Sequence, residues 1–330
     1  MRGFFKRCKL NAGIFFAIDL HNMGGPISRP MNRVLIFFSF LTLGSFVQAG
    51  TLRVASLSTV MADLAREVGG DRVEVIEIVK AGIDPHIYEP TPGDRKTIAK
   101  SQILLASGLG FEGYLDNLRP GLEKNGVRLV VGGDVVKPLQ AVCNSESAHD
   151  HSHSHSHGAT DPHWWHSIPN VQAVAIQIRD AFAKADPEGI ATYEANAKDL
   201  NARLAALSKW VRLQLATLPK ANRVLVTSHE ALGYFARDNG FEIFTVQGIS
   251  TSDQPSSQNV KRLIEEIKSH KVKAIFAENI ENPKVLEQIT NETGAKLGGV
   301  LYADGLGSGP AATYEGMMKT NVSVIVEALK

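Results

Sequence analysis

Short apolar, β-branched runs alternate with helical stretches along most of this chain. That alternation constrains the fold more than any other feature, because it is the pattern of a parallel sheet covered by helices. Four strand candidates fall in the first half, Leu52–Ser56, Val73–Val79, Ile103–Ser107 and Arg128–Val131. Four more fall in the second half, Arg223–Thr227, Glu242–Val246, Ala274–Ala277 and Leu297–Leu301. The same architecture is therefore expected twice. The predicted fold class is α/β, with two similar lobes, each a four-stranded, mostly parallel sheet with flanking helices, joined by one long rigid linker helix.

The linker is the stretch that fits neither half. It opens on Asp186-Pro187-Glu188, an N-cap followed by proline at the first helical position, and runs to Leu218-Pro219 without another proline. Tyr193, Ala197, Leu200, Leu204, Leu207, Val211 and Leu215 recur along it at helical spacing. A helix of about thirty residues would be about 45 Å long, enough to span both lobes. The alternative is two helices with a break near Ser208. The expected organisation is an N-terminal lobe over 50–185, the linker over 186–218 and a C-terminal lobe over 219–330.

The N-terminus reads as targeting information. Arg33 precedes the apolar run Val34 to Leu43, and Gly44-Ser45-Phe46 then leads into Val47-Gln48-Ala49, a secretory signal over residues 31–49 with a small-residue exit site. The run is about ten residues, too short for the roughly twenty of a spanning helix. No cysteine follows it to carry a lipid anchor, so free diffusion in a periplasm is expected. Residues 1–30 are expected to be an upstream extension or a start codon placed too early.

Removing 49 of 330 residues leaves 281, enough for two domains of ordinary size. It also removes six of 35 basic and one of 34 acidic residues, so the balance becomes 29 against 33, or −4, which gives no indication of nucleic acid. Only Cys143 survives processing, since Cys8 lies upstream, and a disulfide framework is excluded.

One segment is low in complexity. His149, His151, His153, His155 and His157 are interrupted only by Asp150 and by serines, with no apolar residue to bury, so a mobile loop is expected. Ordering it around one ion costs on the order of 1 kcal/mol or more per residue, so any metal it collects should be held more weakly than at a preorganised site.

Four other histidines stand at expected strand-to-helix connections, the edge of an open α/β sheet that faces ligands. His86 lies in Asp84-Pro85-His86-Ile87-Tyr88-Glu89-Pro90, after the second strand. His163 and His166 lie in Asp161-Pro162-His163-Trp164-Trp165-His166, and His229 follows the first strand of the second half in Ser228-His229-Glu230. Asp304 occupies the matching place after the last strand. Three neutral imidazoles and one carboxylate make a four-coordinate set that suits a borderline ion such as zinc. Trp164, Trp165 and Tyr88 are candidates for an apolar collar, and Glu89 and Glu230 for carboxylates that fix an imidazole tautomer.

These motifs, with Gly233-Tyr234-Phe235, Gly248-Ile249-Ser250-Thr251 and Leu301-Tyr302-Ala303-Asp304, resemble the zinc and manganese substrate-binding proteins of ABC transporters over essentially all of residues 51 to 330. The resemblance implies two α/β lobes on one long helix with the metal held between them. It also implies, position by position, that His86, His163, His229 and Asp304 are the ligands. Manganese-selective members carry a glutamate where His229 stands, and many zinc members carry a histidine-rich loop, so both features imply Zn2+. The chain departs from the family where an aliphatic residue commonly follows the tryptophan, because His166 stands there; it is an alternative ligand three residues from His163, on the same helical face.

The expected protein is a monomeric periplasmic receptor without catalytic activity. It would capture Zn2+ with an affinity that falls as pH drops through the histidine range near 6.5, and deliver it to a membrane permease. ATP would be hydrolysed by a separate subunit, since this chain has no Gly-x-x-x-x-Gly-Lys-Ser/Thr loop. The alternatives are a manganese receptor and, in another class, a secreted zinc hydrolase. The latter would need an open metal position and a general base, and no His-Glu-x-x-His helix is present.

Overall fold

The computed structural model describes residues 51–140, 160–252, 257–280 and 284–330. The upstream stretch, the signal segment, Cys143 and the histidine tract 149–157 lie outside the described residues.

In the first half, β1 (Leu52–Ser56), β2 (Val73–Glu77), β3 (Ile103–Ala106) and β4 (Arg128–Val131) form one parallel sheet in the order β2-β1-β3-β4. A short antiparallel pair that the sequence did not suggest, β5 (Leu139–Gln140) with β6 (Thr160–Asp161), brackets the segment containing the histidine tract. In the second half, β7 (Val224–Thr227) pairs in parallel with β8 (Glu242–Thr245), and β9 (Ala274–Glu278) pairs in parallel with β10 (Lys296–Leu301). The four strands expected there thus form two parallel pairs, with β7 beside β9.

Helices follow the strands. The first four are α1 (Thr59–Gly69), α2 (Pro92–Ile98), α3 (Leu115–Asn125) and α4 (Ile168–Ala185). The Ser58 side chain caps α1 by accepting from the Met61 N–H, and Thr91 with Asp94 makes a reciprocal capping box on α2 with Pro92 at its first turn. The long helix is α5 (Ile190–Leu215), and the remainder are α6 (Gly233–Asn239), α7 (Ser257–Ser269), α8 (Lys284–Thr293) and α9 (Tyr314–Leu329).

Helix α5 runs unbroken through Ser208 for 26 residues, about 39 Å at 1.5 Å per residue, and all seven stripe residues are buried. Its start differs from the expected one. Asp186 does not cap it; the carboxylate instead takes two hydrogen bonds from Arg72, at 2.8 and 2.9 Å, and one from the Tyr193 hydroxyl at 2.7 Å. Pro187–Gly189 therefore forms a 3-10 turn and the α-helix begins at Ile190.

Strand alternation divides the interior into three clusters. Leu52 and Val54 of β1 face a central core with α1, α4, α5 and α9, while Ala55 and Leu57 face Leu115, Leu118 and Leu122 on the outer side. The second half repeats the arrangement. Leu225, Ala274 and Phe276 join the central core, and Val224, Val226, Ile275 and Ala277 pack outward on Leu263, Ile267, Leu286 and Ile289. The sheet of the first half and the two strand pairs of the second therefore share one core around α5, which packs on α1 and α4 from the first half and on α9 from the second. Among the described residues no helix is long and apolar enough to cross a membrane.

Candidate metal centre

The loops at the carboxyl ends of the strands bring His86, His163, His229 and Asp304 together, with one ligand-capable atom from each lying within 4.8 Å of all the others. Asp304 Oδ1 is 3.1 Å from His163 Nε2, 3.1 Å from His229 Nε2 and 3.6 Å from His86 Nε2, and the His86 and His163 Nε2 atoms are 3.3 Å apart. Ligands about 2.0–2.1 Å from a tetrahedral zinc stand about 3.3 Å from one another, so these separations match such a shell. The four side chains are nearly inaccessible, at 5% for His86, 0% for His163 and His229, and 1% for Asp304.

Local sequence explains each position. In Asp84-Pro85-His86, the Asp84 carboxylate accepts the His86 backbone N–H at 2.9 Å, and in Asp161-Pro162-His163, Asp161 accepts the His163 N–H at 2.8 Å. The same turn is thus used twice. Asp161 goes further, because its Oδ1 also takes the His163 ring Nδ1–H at 2.8 Å and leaves Nε2 as the free lone pair. Asp84 turns its other oxygen across to the second half, where the Thr251 hydroxyl donates to it at 2.8 Å.

His229 follows β7, and Glu278 at the end of β9 accepts its backbone N–H at 3.1 Å and pairs with its ring Nδ1. Asp304 follows β10, whose bulge between Leu297 and Gly299 occurs where Gly299 adopts φ +130°. The loop after Asp304 is pinned to α1, with the Leu306 N–H donating to the Thr59 hydroxyl at 2.8 Å.

The carboxylates that fix the rings therefore belong to Asp161 and Glu278. Glu89, the expected partner of His86, is exposed. Glu278 is a missed residue whose signal was available: a carboxylate closing the apolar strand Ala274-Ile275-Phe276-Ala277-Glu278, 4% exposed.

The aromatic collar also differs from the expected one. Trp165 lies 5.4 Å from the His163 ring, whereas Tyr88 turns away to Tyr114 and donates to Asp94 at 2.8 Å. Its place is taken by Phe111, with ring centroids 4.9 Å from His86, 5.7 Å from His163 and 4.8 Å from Trp165. Phe111 follows a left-handed turn, Gly108-Leu109-Gly110, and the buried Glu112 holds that turn by accepting the Ser107 and Gly108 N–H groups. A small, narrow cleft lined by Lys80, Pro85, Phe111 and Asn279 reaches Asp304.

The electrostatics favour a divalent cation. Burial opposes charge on His163, but its bonds to Asp161 and Asp304 outweigh that and hold the imidazole above its ordinary range. Burial opposes charge on His229 as well; Asp304 and Glu278 reverse it and hold this ring well above the ordinary range. Burial would raise Asp304, and His229, His163 and His86 instead hold it well below the usual carboxylate range. Among the described residues the carboxylates of Asp161, Glu278 and Asp304 surround the three imidazoles, so an ion of charge +2 offsets part of their negative charge. Asp304 Oδ2 is buried without a hydrogen-bond partner among the described residues, an acceptor a cation would satisfy.

His166 does not join the four. It is 2% exposed, its Nε2 donates to the Ala303 carbonyl at 2.7 Å, and burial pushes its imidazole down to about 4. The auxiliary candidates His149, His151, His153, His155 and His157 lie outside the described residues.

A family profile described as "Zinc-uptake complex component A periplasmic" matches residues 54–328. The manganese-binding lipoprotein MntA of Bacillus subtilis (strain 168) is 32% identical over 286 residues, 84% of this chain and 90% of its own length. The iron-binding protein YfeA of Yersinia pestis is 28% identical over 91% of this chain and 97% of its own. Among solved structures, the periplasmic zinc binding protein TroA from Treponema pallidum matches with a TM-score of 0.75 at 27% identity, covering 85% of this chain and 99% of that one.

Proposed function

Because the chain belongs to the family of periplasmic zinc-uptake component A proteins, the metal-binding receptors of ABC transporters, we propose that it captures Zn2+ with His86, His163, His229 and Asp304 and delivers it to a membrane permease. The single observation that carries this reading is the convergence of three imidazoles and one carboxylate oxygen, with one ligand-capable atom of each within 4.8 Å of the others and Asp304 Oδ1 3.1 Å from both His163 Nε2 and His229 Nε2. The third imidazole favours zinc. His229 supplies nitrogen where the resemblance puts a glutamate in manganese-selective members, and harder oxygen donors suit manganese better.

In this reading the ion is cargo. It is held by the four side chains and shielded by Phe111 and Trp165, and it passes to a permease whose ATPase is a separate subunit. The protein acts as a monomer in the periplasm; relatives such as MntA are lipoproteins. The relatives are binding components of transporters rather than enzymes, and four protein donors resemble a closed site more than a catalytic one with an open position.

A second reading, a manganese receptor, draws on the manganese-binding relative at 32% identity. Zinc outranks manganese at most nitrogen and oxygen sites, so retention of zinc against manganese does not separate the two readings. The metal held by the protein as isolated from a periplasm supplied with both ions does: zinc supports the proposal, and manganese sinks it.

A further inference from the structure

The sequence marks His166 twice, as an imidazole three residues after His163 and as a departure from the aliphatic residue that the family resemblance puts there. The structure gives it a different partner. Its Nε2 donates to the Ala303 carbonyl at 2.7 Å, and the neighbouring Trp165 Nε1 donates to the same oxygen at 2.8 Å. A carbonyl has two lone pairs, so one oxygen accommodates both donors. The Tyr314 hydroxyl in turn donates to the Trp165 carbonyl at 2.8 Å. All of these residues are buried, with His166 at 2%, Trp165 and Ala303 at 0% and Tyr314 at 1% exposure.

Ala303 stands one peptide bond before Asp304. The two donors come from the segment that carries His163. The clamp therefore joins the two stretches of chain that supply His163 Nε2 and Asp304 Oδ1, which are 3.1 Å apart. Donation to Ala303 also fixes the ring tautomer with the proton on Nε2, and leaves Nδ1 buried without a partner among the described residues.

We propose that His166 is a positioning residue for metal retention: through the Ala303 carbonyl it ties the Asp304 turn to the His163 segment and fixes the Asp304 carboxylate against the three imidazoles. The proposal deepens the zinc-receptor reading and rests on it. An aliphatic side chain at this place fills the volume but leaves Ala303 with one donor, so the peptide plane that carries Asp304 is held less firmly. The effect should fall on release, because the bound arrangement is what the clamp stabilises.

The test uses the full chain with His166→Leu and His166→Gln. Glutamine offers an amide donor near the place of imidazole Nε2, whereas leucine offers none. Zinc release is followed by chelator chase, together with zinc stoichiometry and the melting temperature of the metal-free protein. Loss of one buried hydrogen bond predicts release about fivefold faster in the leucine variant, with one tight zinc still bound and the glutamine variant within about twofold of the parent. If leucine abolishes folding, His166→Asn, too short to reach Ala303, replaces it. A variant lacking the donor that melts earlier yet releases zinc at the parent rate would overturn the proposal in favour of simple packing. Comparable losses in the variants with and without the donor would overturn it in favour of a role for the imidazole itself. A parent that holds no tight zinc would instead defeat the receptor reading, and this proposal with it.

Discussion

Glu278 closes β9 and meets His229 twice, through the backbone N–H at 3.1 Å and through the ring Nδ1. Both contacts require an acceptor, and a carboxylate supplies one oxygen to each. Glu278→Gln keeps the size but has a single carbonyl oxygen, so its amide NH2 must face one of the two donors. If it faces the ring, His229 can accept at Nδ1 only by moving its proton to Nε2, and that proton then points at Asp304 Oδ1, 3.1 Å away, where the proposed ion sits. A hydrogen bond to a charged group contributes about 1.5–3 kcal/mol. Loss of a carboxylate that orients a ligand imidazole costs about 10–100-fold in metal affinity, or about 1.4–2.7 kcal/mol. The two estimates agree. Chelator competition should therefore show zinc affinity falling by about 10–100-fold, with one ion still bound per chain. A variant within threefold of the parent would refute the role given to Glu278.

Other outcomes follow from burial and charge. Leu204 is 0% exposed at the centre of the α5 stripe, so Leu204→Ala should cost about 3 kcal/mol, seen as a lower urea midpoint at unchanged slope; no shift would mean that α5 is not core. Asp63 on α1 accepts the Tyr314 N–H at 2.8 Å, and burial holds its carboxyl up at about 6. A raised native value means that the folded state binds the proton more tightly. This contribution is full below the ordinary value of 3.8 and is lost as pH rises through about 6. Asp63→Asn should remove it, making stability between pH 4 and 7 less pH-dependent than in the parent by up to about 3 kcal/mol; identical pH profiles would count against it. Deleting residues 149–157 should lower the number of ions bound but keep one tight site, checked by equilibrium dialysis; loss of the tight site would contradict the separation of tract and centre.

Much of the fold was legible because strand and helix periodicities are local properties. The eight predicted strands and the buried stripe of α5 depend on nearest neighbours along the chain and on a single apolar face. His86, His163, His229 and Asp304 were legible for a related reason, since strand ends in an α/β sheet share one edge. Partners set by tertiary approach were not. Adjacency in sequence could not point to Glu278, which the chain's own crossovers bring to His229, 49 residues away. Phe111 was missed because nothing local distinguishes it from a packing residue, although it lies at the same sheet edge. The start of α5 went astray where Arg72, 114 residues from Asp186, drew the expected capping carboxylate into an ion pair. His166 shows the same limit, its spacing from His163 suggesting a ligand while the fold turns its Nε2 to Ala303.

The most direct test of the central claim is the metal content and zinc affinity of the full chain and of His229→Ala, by elemental analysis and chelator competition. One tightly held zinc in the parent, strongly weakened in the variant, is the predicted result. No tight zinc in the parent, or a variant that binds unchanged, would contradict the assignment of the four side chains as its ligands.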